Sequence, residues 1–281
     1  METTAPIIPE GAECCTPARL HKERHGNGAA LVLAHGLAGS ARNFLPQVRG
    51  QPLARSVHLY DARGHARSEA PSDEYAYGWN CLISDFGDVV GDALCGTPNF
   101  STQKAIVGGL SLGAATALLW SLRHPNSVSG LVLAAYPECS LEARRWALNF
   151  ADSIDSNGLD TAGFEFVWGP QGRFGKDDAQ QVRRGFLQHS AHAISAILRH
   201  SLGQLPDVTK LWPELTRFQP PTLVVVGEND TRSQTACQEI VSALPNAQLV
   251  VIEGAGHVVN LSRPGPFNEQ LASFIAICES G

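Results

Sequence analysis

Apolar positions along this chain follow two patterns. Short, β-branched runs recur at Ala29–Ala34, Ser56–Tyr60, Ala105–Gly109, Gly130–Ala135, Thr222–Val226 and Gln248–Ile252. Each has turn residues nearby and is apolar over most of its length, the pattern of a strand covered on both faces. Between the runs the spacing changes to three and four. Leu82, Ile83, Phe86, Val89, Val90 and Leu94 form one helical face. Ile240, Val241 and Leu244 form a second, and Phe267, Leu271, Phe274 and Ile275 a third. Leu112–Leu122 is rich in Ala and Leu and stops ahead of Pro125, because proline lacks the N–H that a helix interior needs. Strand alternating with helix predicts an α/β fold with a mostly parallel, doubly wound sheet.

The alternation lapses between Ala135 and Thr222. Helical stretches are expected over Ser140–Asp152 and Ala179–Leu202, with no convincing strand. A gap of that length inside a parallel sheet reads as an inserted subdomain. The expected organisation is a loose N-terminal leader over residues 1–17, an α/β core over 18–136 and 221–281, and a helical cap over 137–220. The cap holds nine of the chain's twenty aromatic residues. Such rings build the lobe's own core or line a pocket over the sheet. Trp146, Phe164, Phe166, Trp168 and Trp212 are the pocket candidates, joined by Val258 from the core. They suggest an apolar or aromatic substrate group.

Composition narrows the function class. Of 281 residues, 43% are hydrophobic and 17% charged, which supports a sizeable core and excludes disorder over most of the length. Lys plus Arg is 21, Asp plus Glu is 27, and the net charge is −6 with no basic run, so nucleic acid is not an expected partner. No apolar stretch approaches the ~20 residues that span a bilayer. The seven cysteines are odd in number and include no C-x-x-C. Reduced thiols in a cytoplasm fit that pattern better than a disulfide scaffold or a zinc site. Met1–Pro17 has neither the charged start nor the apolar run of a signal peptide.

The strongest chemical signal is Gly108-Gly109-Leu110-Ser111-Leu112-Gly113, a G-x-S-x-G sequence between a strand and a helix. A sharp turn there exposes the serine hydroxyl, and glycines keep side chains out of the crossing. A hydroxyl is a weak nucleophile and needs a base, which in turn needs an acid to fix its tautomer. His257 lies in a glycine-flanked loop after the last strand run, and Asp230 directly follows the run Thr222–Val226. All three fall beyond strand C-terminal ends, where α/β sheets place their sites. The backbone N–H groups of Leu37 and Leu112 are the candidate donors to an oxyanion. His35, in His35-Gly36-Leu37-Ala38-Gly39-Ser40, reads as a structural loop residue rather than a second base. His189 and His192 share a helical stretch but lack a third ligand, so no metal is expected. Arg144, Arg145, Arg173, Arg183, Arg184 and Arg199 read as solvated cap charges.

With those residues in place, the sequence resembles the α/β-hydrolase fold family over Ala29–Tyr136 and Pro221–Ile277. Tyr60-Asp61-Ala62-Arg63-Gly64-His65-Ala66-Arg67-Ser68 is similar to the family's D-x-R-G-x-G-x-S turn, with Ala66 at the usual second glycine. The chain order Ser111, Asp230, His257 matches as well, and the resemblance leaves Glu138 as an alternative to Asp230, since some relatives carry the acid at that place. The resemblance implies intracellular esterase or lactonase chemistry of the enol-lactonase kind, with a small-molecule substrate and no cofactor. Ser111 excludes branches with an Asp nucleophile. Leu112 and Val258 stand where perhydrolases usually carry Met and C–C hydrolases usually carry Trp. Those two activities remain alternatives, as do acyl transfer and a slow-turnover ligand receptor. Oligomeric state is not legible in the chain.

Overall fold

The computed structural model describes residues 17–50, 54–95, 103–170 and 179–280. The expected leader, apart from Pro17, and the cap residues Arg173 and Phe174 lie outside the described residues. Seven strands form one sheet: β1 (Lys22–His25), β2 (Ala29–Ala34), β3 (Arg55–Tyr60), β4 (Ala105–Leu110), β5 (Val128–Ala134), β6 (Thr222–Gly227) and β7 (Ala247–Ile252). Their order is β1-β3-β2-β4-β5-β6-β7. β1 pairs antiparallel with β3, and every other pairing is parallel. The six expected strands are present with ends moved by no more than two residues. β1 is new. Its sequence, Lys-Glu-Arg-His, has no apolar position. An edge strand needs only one neighbour's backbone, and charges there discourage further edge pairing.

Ten helices surround the sheet among the described residues: α1 (Leu45–Gly50), α2 (Trp79–Leu94), α3 (Leu112–Arg123), α4 (Leu141–Gly163), α5 (Ala179–Phe186), α6 (Ala191–His200), α7 (Trp212–Leu215), α8 (Thr231–Ala243), α9 (Val259–Ser262) and α10 (Pro264–Ser280). Side chains alternate across the sheet. Ala30, Val32 and Ala34 pack with α2, α3 and α8. Leu31 and Leu33 pack on the other face with α1, α9 and α10. β4 and β6 are buried at every position, because helices cover both of their faces.

Among the described residues no strand lies between β5 and β6. The helices there share a third apolar cluster that includes Phe150, Ile154, Phe186, Ile194 and Leu198. Phe150 stacks between Phe166 and Phe186, at centroid distances of 4.9 and 5.8 Å. α4 runs past the expected end at Asp152, because Phe150 and Ile154 continue its buried stripe as far as a left-handed turn at Gly158, φ 78°. The expected helix over Ala179–Leu202 is two helices. Ser190 opens the second by accepting the Ala193 N–H, which an N-cap serine does at the cost of helical continuity.

Candidate active site

Ser111 sits where β4 ends and α3 begins, with φ 53° and ψ −116°. Few side chains tolerate that backbone. The Ser111 N–H donates to Ala134 O at 2.9 Å, which ties the turn to β5. A Cβ on Gly109 would press on the Ala34 carbonyl and the Gly113 backbone, and one on Gly113 would press on the carbonyls of Ala34 and His35. The glycines flanking the serine therefore let the end of β2 cross directly against the turn.

β6 and β7 deliver the other two groups. Asp230 follows β6 at the start of α8, and His257 lies in the loop between β7 and α9. His257 Nε2 is 2.9 Å from Ser111 Oγ, and its Nδ1 is 2.8 Å from Asp230 Oδ2. In the neutral ring, the proton placement that serves both contacts has Nδ1–H donating to Asp230 and Nε2 accepting from the serine hydroxyl. Asp230 is buried, which opposes its ionisation. The hydrogen bond and charge of His257 and two hydrogen bonds from Ser233 outweigh burial and hold the carboxyl below its ordinary value. Glu138 instead receives the Ser140 hydroxyl at 2.6 Å. Below the histidine loop, Gln47 Nε2 donates to Asn260 O and to Asn268 Oδ1, both at 2.9 Å, joining α1, α9 and α10.

The loop after β2 passes over the serine: a Cβ on Gly36 would lie 3.4 Å from Ser111 Cβ. Gly36 O accepts from Gly39 N–H at 3.0 Å and from His35 Nδ1–H at 2.8 Å. A trans peptide points its N–H opposite to its C=O. His35 thereby aims the Leu37 N–H away from the loop's own turn. Leu112 is the first residue of α3, so its N–H is one of the four that a helix leaves without an internal partner. Asp61 Oδ1 accepts the Ala41 N–H at 2.8 Å, and Arg63 makes a two-pronged pair with Asp85 at 2.6 and 2.7 Å. Both organise the turns around this loop.

A cavity of about 330 Å³ opens above Ser111 and His257. Leu37, Trp146 and Val258 line it, as do Phe150, Val167 and Phe186. Of the expected pocket residues, Phe166 and Trp168 stand one layer back. Phe166 stacks on Phe150, and Trp168 meets Phe186 edge to face at 5.4 Å. Phe164 and Trp212 are 57% and 45% exposed and lie off the cavity. Phe164 opens a single π-helical turn whose inward positions are taken by Val167 and its neighbours. Phe150 was legible in principle, four residues beyond Trp146 on the same helical face. His189 also lines the cavity. Among the described residues no group of three His, Cys, Asp or Glu side chains could hold a metal ion, and no helix is long and apolar enough to cross a membrane.

The comparisons with known proteins agree with this fold. A model of the alpha/beta hydrolase family matches residues 31–270. The pimeloyl-acyl-carrier-protein methyl ester esterase of Aeromonas hydrophila is 26% identical over 270 residues, 90% of this chain and 98% of that protein. Among solved structures, MenH from S. aureus superposes with a TM-score of 0.79 at 20% identity, covering 92% of this chain and 99% of that one. The enol-lactonase from Burkholderia xenovorans LB400 gives 0.73 at 22%, covering 92% and 96%.

Proposed function

Because this chain belongs to the alpha/beta hydrolase family, we propose that it is a serine hydrolase that cleaves a carboxylic ester or lactone through an acyl-enzyme. The observation that carries the reading is the continuous chain Ser111 Oγ–His257–Asp230 on the floor of the cavity. Names among the relatives, a methyl ester esterase and an enol-lactonase, support the ester and lactone class. The helical segment 137–220 acts as the cap that shapes the substrate side. The odd number of cysteines and the lack of C-x-x-C support a cytoplasmic setting.

In this mechanism the Ser111 hydroxyl attacks the carbonyl carbon as His257 Nε2 takes its proton. Asp230 holds the ring in the tautomer that leaves Nε2 free and stabilises the cation that forms. The tetrahedral oxyanion accepts from the N–H groups of Leu37 and Leu112, and the N-terminus of α3 adds its positive dipole end. His257 then gives its proton to the departing alkoxide oxygen. Water, deprotonated by the same ring, releases the acid. The chemistry is complete with these side chains and water.

The test is a hydrolysis screen of purified wild type and Ser111→Ala on p-nitrophenyl esters and on aliphatic and aromatic lactones. Wild type is expected to turn over many times, and Ser111→Ala to lose a factor on the order of 10³–10⁶ in kcat. Equal activity in the two proteins defeats the assignment.

A further inference from the structure

We propose that His189, carried by the cap segment between α5 and α6, is a positioning residue that sets the Leu37 oxyanion donor through Ala38. The inference rests on the serine hydrolase reading and extends it from the core to the cap. His189 Nε2–H donates to Ala38 O at 2.9 Å. Its Nδ1 accepts the Ala66 N–H at 3.0 Å. Both alanines have left-handed backbones, φ 54° and 43°, a conformation that costs a residue with a Cβ. The ring thus clamps two strained loops to each other and to the cap.

Two further histidines complete the arrangement. His65 Nε2 accepts the Ala38 N–H at 3.0 Å, while its Nδ1–H donates to Arg63 O at 3.0 Å. His35 Nε2 accepts the Ala62 N–H at 2.9 Å. The rings meet edge to face, His35 with His65 at 4.8 Å and His65 with His189 at 5.1 Å. Every ring nitrogen in this column has a backbone partner, and in each ring one nitrogen must accept. The rings are therefore neutral. Burial favours this in all three and pushes His35 down to about 4.

The consequence for catalysis is geometric. Leu37 lies between two peptide groups, and both are pinned. Gly36 O is held by His35 and Ala38 N–H by His65, both from the core. Ala38 O is held by His189, from the wall of the cavity that substrate fills. Without that bond Ala38 keeps only the His65 restraint on its N–H, and its relaxation toward ordinary φ shifts the Leu37 N–H relative to the oxyanion. Donors matter most in the transition state, so the cost falls on kcat rather than on KM.

The experiment uses the full chain as wild type, His189→Ala, His189→Gln and His189→Asn. It measures kcat and KM on the best p-nitrophenyl ester, Tm, and the second-order rate at which a fluorophosphonate labels Ser111. In that labelling an O–P bond forms as P–F breaks, fluoride leaves, and the serine proton passes to His257. His189→Ala and His189→Asn are expected to lose ~10- to 100-fold in kcat and in labelling rate, with KM within about twofold. His189→Gln is expected to recover most of the loss, because its amide N–H reaches the Nε2 position and Ala38 O. Should His189→Ala fail to fold, the Gln and Asn pair carries the comparison. Wild-type rates in the variants, a loss confined to KM, a loss that tracks Tm, or Gln no better than Asn would each overturn the proposal while wild type still labels. A wild type that neither turns over nor labels defeats the serine hydrolase reading itself.

Discussion

A carboxyl group that is 8% exposed would ordinarily resist ionisation, yet Asp230 is held below its usual value. Burial opposes the charge, and His257 together with Ser233 more than offsets it. Two expectations follow. Asp230→Asn keeps the shape but presents an amide that cannot favour the same tautomer, so kcat is expected to fall by about 10⁴ while KM moves much less. Steady-state kinetics on the screened ester checks this. The second concerns stability. A depressed folded-state pKa means that the contribution is present above the ordinary aspartate value and is lost as pH falls through the lower, folded one. The deficit of Asp230→Asn in urea melts is therefore expected to be full at about pH 5 and smaller at about pH 3. An unchanged deficit would mean that the His257 contact does not govern the carboxyl. At this scale the three groups that the structure brings together, Ser111, Asp230 and His257, were legible in the chain, because each lies within a few residues of the end of its own strand. His189 was not. Its partners, Ala38 and Ala66, are more than a hundred residues away, and a histidine in a helical stretch carries no local mark of them.

Among the helices and strands, glycines show how the same residue acts oppositely in two places. At Gly113, in the first turn of α3, an added Cβ would press on the backbone of Ala34 and His35. At Gly91, inside α2, it would meet nothing within 4 Å. Gly113→Ala is accordingly expected to destabilise by about 3 kcal/mol or more, since backbone rather than a flexible side chain must give way. Gly91→Ala is expected to stabilise by ~0.5–1 kcal/mol, through helix propensity and a less free unfolded chain. Chemical denaturation of the two variants decides it, and a stable Gly113→Ala would mean that the strand–helix crossing is looser than described. The elements that the pattern found are those whose burial is written along the chain. Ala29–Ala34 matches β2 residue for residue. β1 was missed because only its pairing with β3, more than thirty residues on, makes Lys22–His25 a strand. The long helical stretch over Ala179–Leu202 hid a break, because apolar spacing continues across it while Ser190 caps the second helix.

In the whole molecule, the floor and the walls of the cavity come from different parts of the chain, and sequence reads them unequally. The floor is built on a sheet whose mostly parallel strands follow from the alternation of strand and helix. The walls depend on which face of α4 and α5 turns inward, and that is settled by packing across the third apolar cluster. Trp146 therefore lines the cavity, while Trp212, equally aromatic and equally plausible as a string of letters, stands off it. The size and lining of the cavity make a prediction on the same footing. About 330 Å³ lies at the small end of ligand pockets, and its upper wall is largely apolar. Ester hydrolysis is expected to peak at acyl chains of about four to eight carbons and to fall toward twelve, as the chain outgrows the space. Trp146→Ala removes part of the wall and is expected to shift the optimum to longer chains. Trp212→Ala is expected to leave the profile where it was, whatever it does to stability. Comparing kcat/KM across the series for the three proteins separates the possibilities. A profile that moves with Trp212 and not with Trp146 would place the substrate outside this cavity, and the cap would then select its substrate by a surface other than the one above Ser111.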